Sequence, residues 1–80
     1  MLRKMADNQY IISIHGYTYF QSYNTIIAWK NDDGIFLRKG YWNMYSATTN
    51  KYLNQFLNTD GIAEIRERVD NGTYIVGDIE

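Results

Sequence analysis

Few residues in this chain have side chains that could catalyse a reaction or bind a metal ion. His15 is the only histidine, and a general base also needs a substrate pocket and an orienting partner, neither of which the sequence indicates. Asp32 and Asp33 could form a carboxylate pair for a metal, but they lie in an Asn-Asp-Asp-Gly segment, where aspartate is common for local turn hydrogen bonds. We therefore expect no enzyme activity, no metal and no cofactor.

A second candidate is a cluster of hydroxyl groups followed by a lysine. Ser46 or Thr48 can cap a predicted helix, because a hydroxyl there accepts a hydrogen bond from a backbone N–H that has no partner within the helix. Capping uses only one hydroxyl. The cluster of Thr48, Thr49 and Lys51 is therefore a candidate contact for an anion or a nucleic-acid phosphate, which helix N-termini attract.

The third candidate is an aromatic segment that links a predicted hairpin to that helix. It contains Tyr41, Trp42 and Tyr45, and Arg38 and Lys39 come just before it. Tyr, Trp and Arg are enriched in the residues that dominate protein interfaces. The segment either folds back to fill the core or is exposed as a binding surface. We place the predicted partner-binding surface on these five residues.

Composition favours a protein-binding function over nucleic-acid binding. The chain has 80 residues, a net charge of −1, no cysteine and eight tyrosines, which either fill the edge of a strand-rich core or form part of a binding surface. Its eight positive side chains are scattered, so nucleic acid is the less favoured partner. A domain of this size buries only about 60% of its unfolded surface, which leaves a homodimer as an open alternative.

The first eight residues contain Arg3 and Lys4 but no apolar stretch behind them, so they do not predict a signal peptide. No apolar run approaches the length of a membrane span. We expect one domain over residues 1–80, with residues 1–8 flexible, that lies in the cytoplasm and does not contact a membrane.

Alternation and turn residues predict strands in the first half of the chain. Residues 9–14 alternate, and further strand-favouring residues at 17–21 follow His15-Gly16, which is either a turn or a bulge. Residues 25–29 form an unbroken apolar run that is typical of a central strand covered on both faces. An Asp-Gly pair then predicts a tight hairpin into a strand at 35–38.

Helical spacing predicts two helices in the second half. The apolar stripe of the first helix consists of Thr49, Leu53, Phe56 and Leu57. A shorter helix over 62–69 stops before Gly72, and a last strand follows at 73–76. This order predicts an α+β fold, with a mostly antiparallel sheet of four to five strands and two helices packed on one face. The first helix is expected to pack against Ile26, Ala28, Ile35 or Leu37.

Two segments together form a recognisable pattern. They are S-Y-x-T-I-I-A at residues 22–28 and Y-S-x-T-T-x-K-Y-L-x-x-F-L at residues 45–57. This pattern resembles that of a family of short uncharacterised proteins encoded by bacteriophages and mobile elements. It covers less than half of the chain, and the family has no activity to transfer to individual residues. The resemblance implies a phage-encoded accessory protein that acts in the cytoplasm of an infected bacterium.

Small phage accessory proteins without catalytic groups generally bind a component of the host. The resemblance therefore leads to a first hypothesis, an inhibitor of a bacterial defence system that binds a host protein such as a CRISPR effector. One alternative is a small DNA- or RNA-binding regulator that uses the helix start together with three further cations. Its residues are Thr48, Thr49 and Lys51 at the helix start, with Lys30, Arg38 and Lys39. Another is a homo-oligomeric structural or host-takeover factor without a defence target.

Overall fold

Six strands and two helices make up the described part of the protein. A computed structural model describes residues 1–43 and 47–78. The strands are β1 (Leu2–Ala6), β2 (Gln9–Ile14), β3 (Tyr17–Ser22), β4 (Thr25–Asn31), β5 (Gly34–Arg38) and β6 (Tyr74–Gly77), and the helices are α1 (Ala47–Leu57) and α2 (Ile62–Asp70). The α+β class and the two predicted helices are confirmed.

All six strands form one sheet in the order β1-β2-β3-β4-β5-β6. The first five strands follow one another through short turns and pair antiparallel with their neighbours. Strand β6 pairs parallel with β5, because two helices separate them and carry the chain back across the sheet. The sheet is therefore mixed, and it has one strand more than the four to five predicted.

The additional strand is β1, within the segment that we expected to be flexible. Arg3 pairs with Ile11 and Lys4 pairs with Tyr10, so β1 occupies the edge of the sheet beside β2. Asn8, with a φ angle of 63°, lies in the turn between the two strands. Leu2 to Ala6 lack a clear alternation, and the strand forms because its backbone groups complete the hydrogen bonding of β2.

His15 and Gly16 form a two-residue turn, which decides between the turn and the bulge that the sequence left open. Ile14 pairs with Tyr17 on either side of it. The φ angles of His15 and Gly16 are 49° and 82°, and positive values at both positions suit the twist of an antiparallel hairpin. Residues 9–21 are therefore two strands.

A bulge lies instead between β3 and β4. Phe20 pairs with Ala28 while Gln21 pairs with Ile26, so Ile27 is an extra residue on β4. Because a bulge changes the alternation of side chains, Ile27 and Ala28 are both fully buried on the helix side. Ile27 thus takes the place in the core that we had predicted for Ile26.

One hydrophobic core lies between the helices and one face of the sheet. Its buried residues are Phe20, Ile27, Ala28, Leu37, Trp42, Leu53, Phe56, Leu57, Ile65 and Tyr74. The rings of Phe20 and Phe56 stack with their centroids 5.8 Å apart, which fixes α1 over β3. The predicted contribution of Ala28, Ile35 and Leu37 to the packing under the helices is confirmed, with Ile35 partly buried against this core.

Candidate functional site

The opposite face of the sheet is apolar, and no helix in the described part of the chain covers it. Strand residues alternate between the two faces, so the side chains between the core positions of each strand point to this second side. We call this surface the open face. Its apolar residues are Leu2, Tyr10, Ile12, Ile14, Tyr17, Tyr19, Ile26, Trp29, Phe36 and Ile75, and the polar residues Lys4, Gln21 and Arg38 lie on the same side.

Several large apolar side chains of the open face are in contact with solvent. The exposed fraction is 64% for Leu2, 52% for Ile14, 40% for Tyr17 and 46% for Ile75. Single exposed apolar residues are common on proteins, but a continuous apolar surface usually marks a binding site. We expected β4 to be a central strand covered on both faces. In the structure, the helices cover only one of its two faces.

Stacked aromatic rings hold much of the open face in a fixed arrangement. The rings of Trp29 and Phe36 have centroids 5.5 Å apart and planes within 4° of parallel. The rings of Tyr17 and Tyr19 are 5.7 Å apart and within 9° of parallel. Rings that are already packed lose little rotamer entropy on binding, so this surface is preorganised for a partner.

A groove of about 390 Å³ lies at the end of the open face where β1, β2 and β3 meet. It is lined by Leu2, Asn8, Tyr10, Ile12, Gln21, Tyr23 and Asn24. Tyr23 has a φ angle of 56° and is 53% exposed, an unfavourable conformation for a large side chain. The Gln21 Nε2 donates to the Tyr23 carbonyl oxygen over 2.7 Å, which holds the turn beside the groove.

Charged groups flank the open face, and each has a neighbour within the chain. Lys4 and Asp7 form an exposed ion pair of 2.9 Å. Their hydrogen bond raises the pKa of Lys4 and lowers the pKa of Asp7. The Arg38 guanidinium lies 4.4 Å from the centroid of the Tyr41 ring, close enough for a cation–π interaction.

The structure divides the predicted partner-binding residues between two environments. Trp42 is only 9% exposed and belongs to the hydrophobic core. Tyr41 and Lys39 are exposed, and Arg38 is half-buried beside the Tyr41 ring. Tyr45 lies outside the described residues. The aromatic segment thus contributes Trp42 to the core and Tyr41 with Arg38 to the surface.

The hydroxyl cluster at the start of α1 is also divided. Thr49 is buried, and its Oγ1 is 2.9 Å from the Oγ of Ser22 in a hydrogen bond between helix and sheet. Thr48 and Lys51 are exposed, and the Lys51 ammonium lies 5.4 Å from the Tyr52 ring. Ser46 lies outside the described residues. Thr49 therefore does not face an anion at the surface together with Thr48.

His15 and the Asp32-Asp33 pair come together at one end of the sheet. They line a shallow cavity of about 270 Å³ between two hairpin turns. The Asn31 Oδ1 accepts from the Asp33 backbone N–H over 2.7 Å. This bond supports the turn interpretation, but the side chain that accepts it is the Asn31 amide and not an aspartate carboxylate. Within residues 1–43 and 47–78, no group of three or more His, Asp or Glu side chains is placed to hold a metal ion.

The open face was not identified from the sequence, because aromatic composition favoured the connection after β5 as the binding surface. The signal was present in residues 10–14, where Tyr10, Ile12 and Ile14 form one side while Ile11 is on the other. Apolar residues on both sides of a hairpin strand indicate two apolar faces. With two short helices available, only one of these faces is covered.

Neither of the two helices described, of 11 and nine residues, is long and apolar enough to cross a membrane. No curated protein and no solved structure shows significant similarity to this chain. A family model does match it, from residue 2 to residue 72, which includes β1 to β5 and both helices. The chain therefore belongs to DUF8033, a family of unknown function.

Proposed function

We propose that this protein acts by binding another protein through its open face. The observation that carries the proposal is the contiguous set of exposed apolar side chains on that face, which include Leu2, Ile14 and Tyr17. Strands about 4.8 Å apart with a rise of about 3.3 Å per residue give a six-stranded face on the order of 500 Å². Such a face approaches the roughly 600 Å² per partner of the smaller specific interfaces.

The chemistry of the open face favours a protein over a nucleic acid as the partner. Surfaces that bind single strands combine aromatic rings with a groove of positive charge. Here Lys4, which is paired with Asp7, lies on β1 and Arg38 lies on β5. Three strands separate these two cations, so they do not form a continuous positive groove for phosphates. The aliphatic side chains between the rings offer no stacking surface for bases and suit the apolar core of a protein interface.

We infer further that the partner is a host protein in the cytoplasm of an infected bacterium, and that binding inhibits a defence system such as a CRISPR effector. The support for this narrower proposal is the resemblance of residues 22–28 and 45–57 to phage-encoded proteins. A preorganised apolar face on a chain of 80 residues is consistent with an inhibitor that acts by covering a surface of its target.

Affinity capture from bacterial lysate tests the binding proposal. The double variant Ile14→Ser/Tyr17→Ser removes two exposed apolar groups from the open face. The control Arg66→Ser/Glu67→Ser changes two exposed residues of α2 and keeps the net charge. We expect the wild type and the control to retain one protein after nuclease treatment, and the open-face variant to lose it.

Two other results would contradict the proposal. A partner that disappears after nuclease treatment would indicate nucleic-acid binding, and equal retention by both variants would place the interface elsewhere. Size-exclusion chromatography with light scattering tests whether the partner bound to the open face is a second copy of the chain. For the narrower proposal, expression of the protein should raise phage plaquing on a host with the active defence system, and the open-face variant should not.

A further inference from the structure

Another cavity lies on the helix-covered side of the sheet. This cleft has a volume of about 410 Å³ and lies between the last turn of α1 and strands β1 to β4. Its lining includes the cations Arg3 and Lys30, the hydroxyl residues Ser13 and Thr18, and none of the carboxylates in the described part of the chain. The cleft is therefore positively charged, although the protein as a whole carries a net charge of −1.

Lys30 is held rigidly at this cleft. Its Nζ donates to the Phe56 carbonyl oxygen over 2.6 Å and lies 4.4 Å from the centroid of the Phe56 ring. Three donors are present on an ammonium group, so the bond to Phe56 uses only one of them. The geometry therefore fixes the Lys30 ammonium at the wall of the cleft, with two N–H donors available to a ligand.

The charge of Lys30 is not neutralised by a carboxylate within the described residues, where the ion pairs join Lys4 to Asp7 and Arg68 to Glu64. Partial burial lowers the pKa of Lys30, because removal from water disfavours the charged form. A half-buried cation without a counter-charge is unfavourable, and an anion bound beside it would recover part of that free energy.

The remaining walls of the cleft are apolar. Met5, Ile11 and the Phe56 ring lie beside the two cations. We propose that the cleft binds a small amphipathic anion, in which a carboxylate or phosphate group contacts Lys30 and Arg3 and a short apolar tail contacts Met5 and Ile11. This site is separate from the open face and does not depend on the function proposed for it.

Titration of the ¹⁵N-labelled protein with hexanoate and with hexyl phosphate tests this proposal, and comparing the two identifies the preferred head group. Hexanol is the control for apolar binding. We expect saturable amide shifts around the cleft with at least one anion, and binding of hexanol at least tenfold weaker. Lys30→Met should weaken anion binding at least tenfold, whereas Lys51→Met, at an exposed lysine of α1 outside the cleft, should leave it unchanged.

Equal binding of hexanol and the anions, or unchanged anion affinity in Lys30→Met, would overturn the proposal, as would the absence of saturable shifts with both anions. Arg3→Met serves as a second variant, because Arg3 is exposed and its replacement does not disturb the core. We expect it to weaken anion binding at least threefold with an unchanged melting temperature. Unchanged affinity in that variant would remove Arg3 from the site and contradict the two-cation geometry.

Discussion

The indole ring of Trp29 and the phenyl ring of Phe36 stack across β4 and β5, with centroids 5.5 Å apart and planes within 4° of parallel. The pair lies in the open face, and Trp29 is nonetheless buried by its neighbours. Stacked pairs of this kind add about 0.5–1.5 kcal/mol beyond the burial of their area. The open face therefore has a structural centre at Trp29 and Phe36 and an exposed periphery at Ile14 and Tyr17.

Replacing Trp29 with alanine should destabilise the protein strongly. We expect the free energy of unfolding to fall by about 3–5 kcal/mol, because a large buried aromatic side chain and its stacking partner are lost. Tyr17→Ala, at the exposed periphery, should cost less than about 1 kcal/mol. Urea titration followed by circular dichroism measures both. Similar losses of unfolding free energy in the two variants would mean that the open face is not divided into a structural centre and an exposed periphery.

Trp42 provides a test of the surface that we first predicted from sequence. The structure places Trp42 in the core with Leu53 and Phe56. Trp42→Ala should therefore lower the free energy of unfolding by about 3–5 kcal/mol and reduce partner binding only through unfolding. Thermal melting and partner capture on the same preparation distinguish the cases. A stable Trp42→Ala variant that no longer binds would restore the aromatic segment as the interface.

Gln9 is fully buried, and within the described residues neither its Oε1 nor its Nε2 has a hydrogen-bond partner. A buried polar group without a partner costs about 1–3 kcal/mol, and methionine has a similar length without that penalty. Gln9→Met should therefore raise the free energy of unfolding by roughly 1 kcal/mol or more. Urea titration is again the measurement. A loss of stability would show that the amide is hydrogen-bonded in solution.

Burial raises the pKa of Tyr74 above its ordinary value of 10.0, against the opposing effect of nearby Arg68. Between pH 10.0 and the higher pKa of the folded protein, the native state holds more protons than the unfolded state does. The stabilisation from the protonated Tyr74 is therefore full below pH 10 and is lost as the pH rises through the pKa of the folded protein. The stability difference between the wild type and Tyr74→Phe should fall as the pH rises above 10. Other groups, including Lys30, titrate similarly in both proteins. A difference that is constant from pH 8 to pH 12 would contradict this.

Local patterns predicted most elements of the fold but not how many faces of the sheet the helices cover. The hairpin between β4 and β5 and the stripe of Leu53, Phe56 and Leu57 are determined locally, and the structure confirms them. The Asp-Gly pair is displaced by one position, because Gly34 pairs with Asn31 as the first residue of β5 and the turn is formed by Asp32 and Asp33. Strand β1 and the bulge at Ile27 depend on the neighbouring strand, so no local pattern indicates them. The predicted partner-binding surface was placed on the aromatic segment for a related reason.

The burial of Trp42 depends on tertiary packing, which its aromatic neighbours in sequence do not reveal. A connection rich in Tyr and Trp fits an interface and a core equally well by composition. The open face results from pairing six strands beside only two short helices. That relation between sheet area and helix area becomes visible only in three dimensions.

The most direct test of the account is the dissociation constant between this protein and its purified partner, measured by isothermal titration for the wild type, Ile14→Ser/Tyr17→Ser and Arg66→Ser/Glu67→Ser. If the open face is the interface, the first variant binds at least roughly tenfold more weakly, a loss of about 1.4 kcal/mol, while circular dichroism shows it still folded at the temperature of the titration. The α2 control binds like the wild type. An affinity of the open-face variant within twofold of the wild-type value would contradict the account.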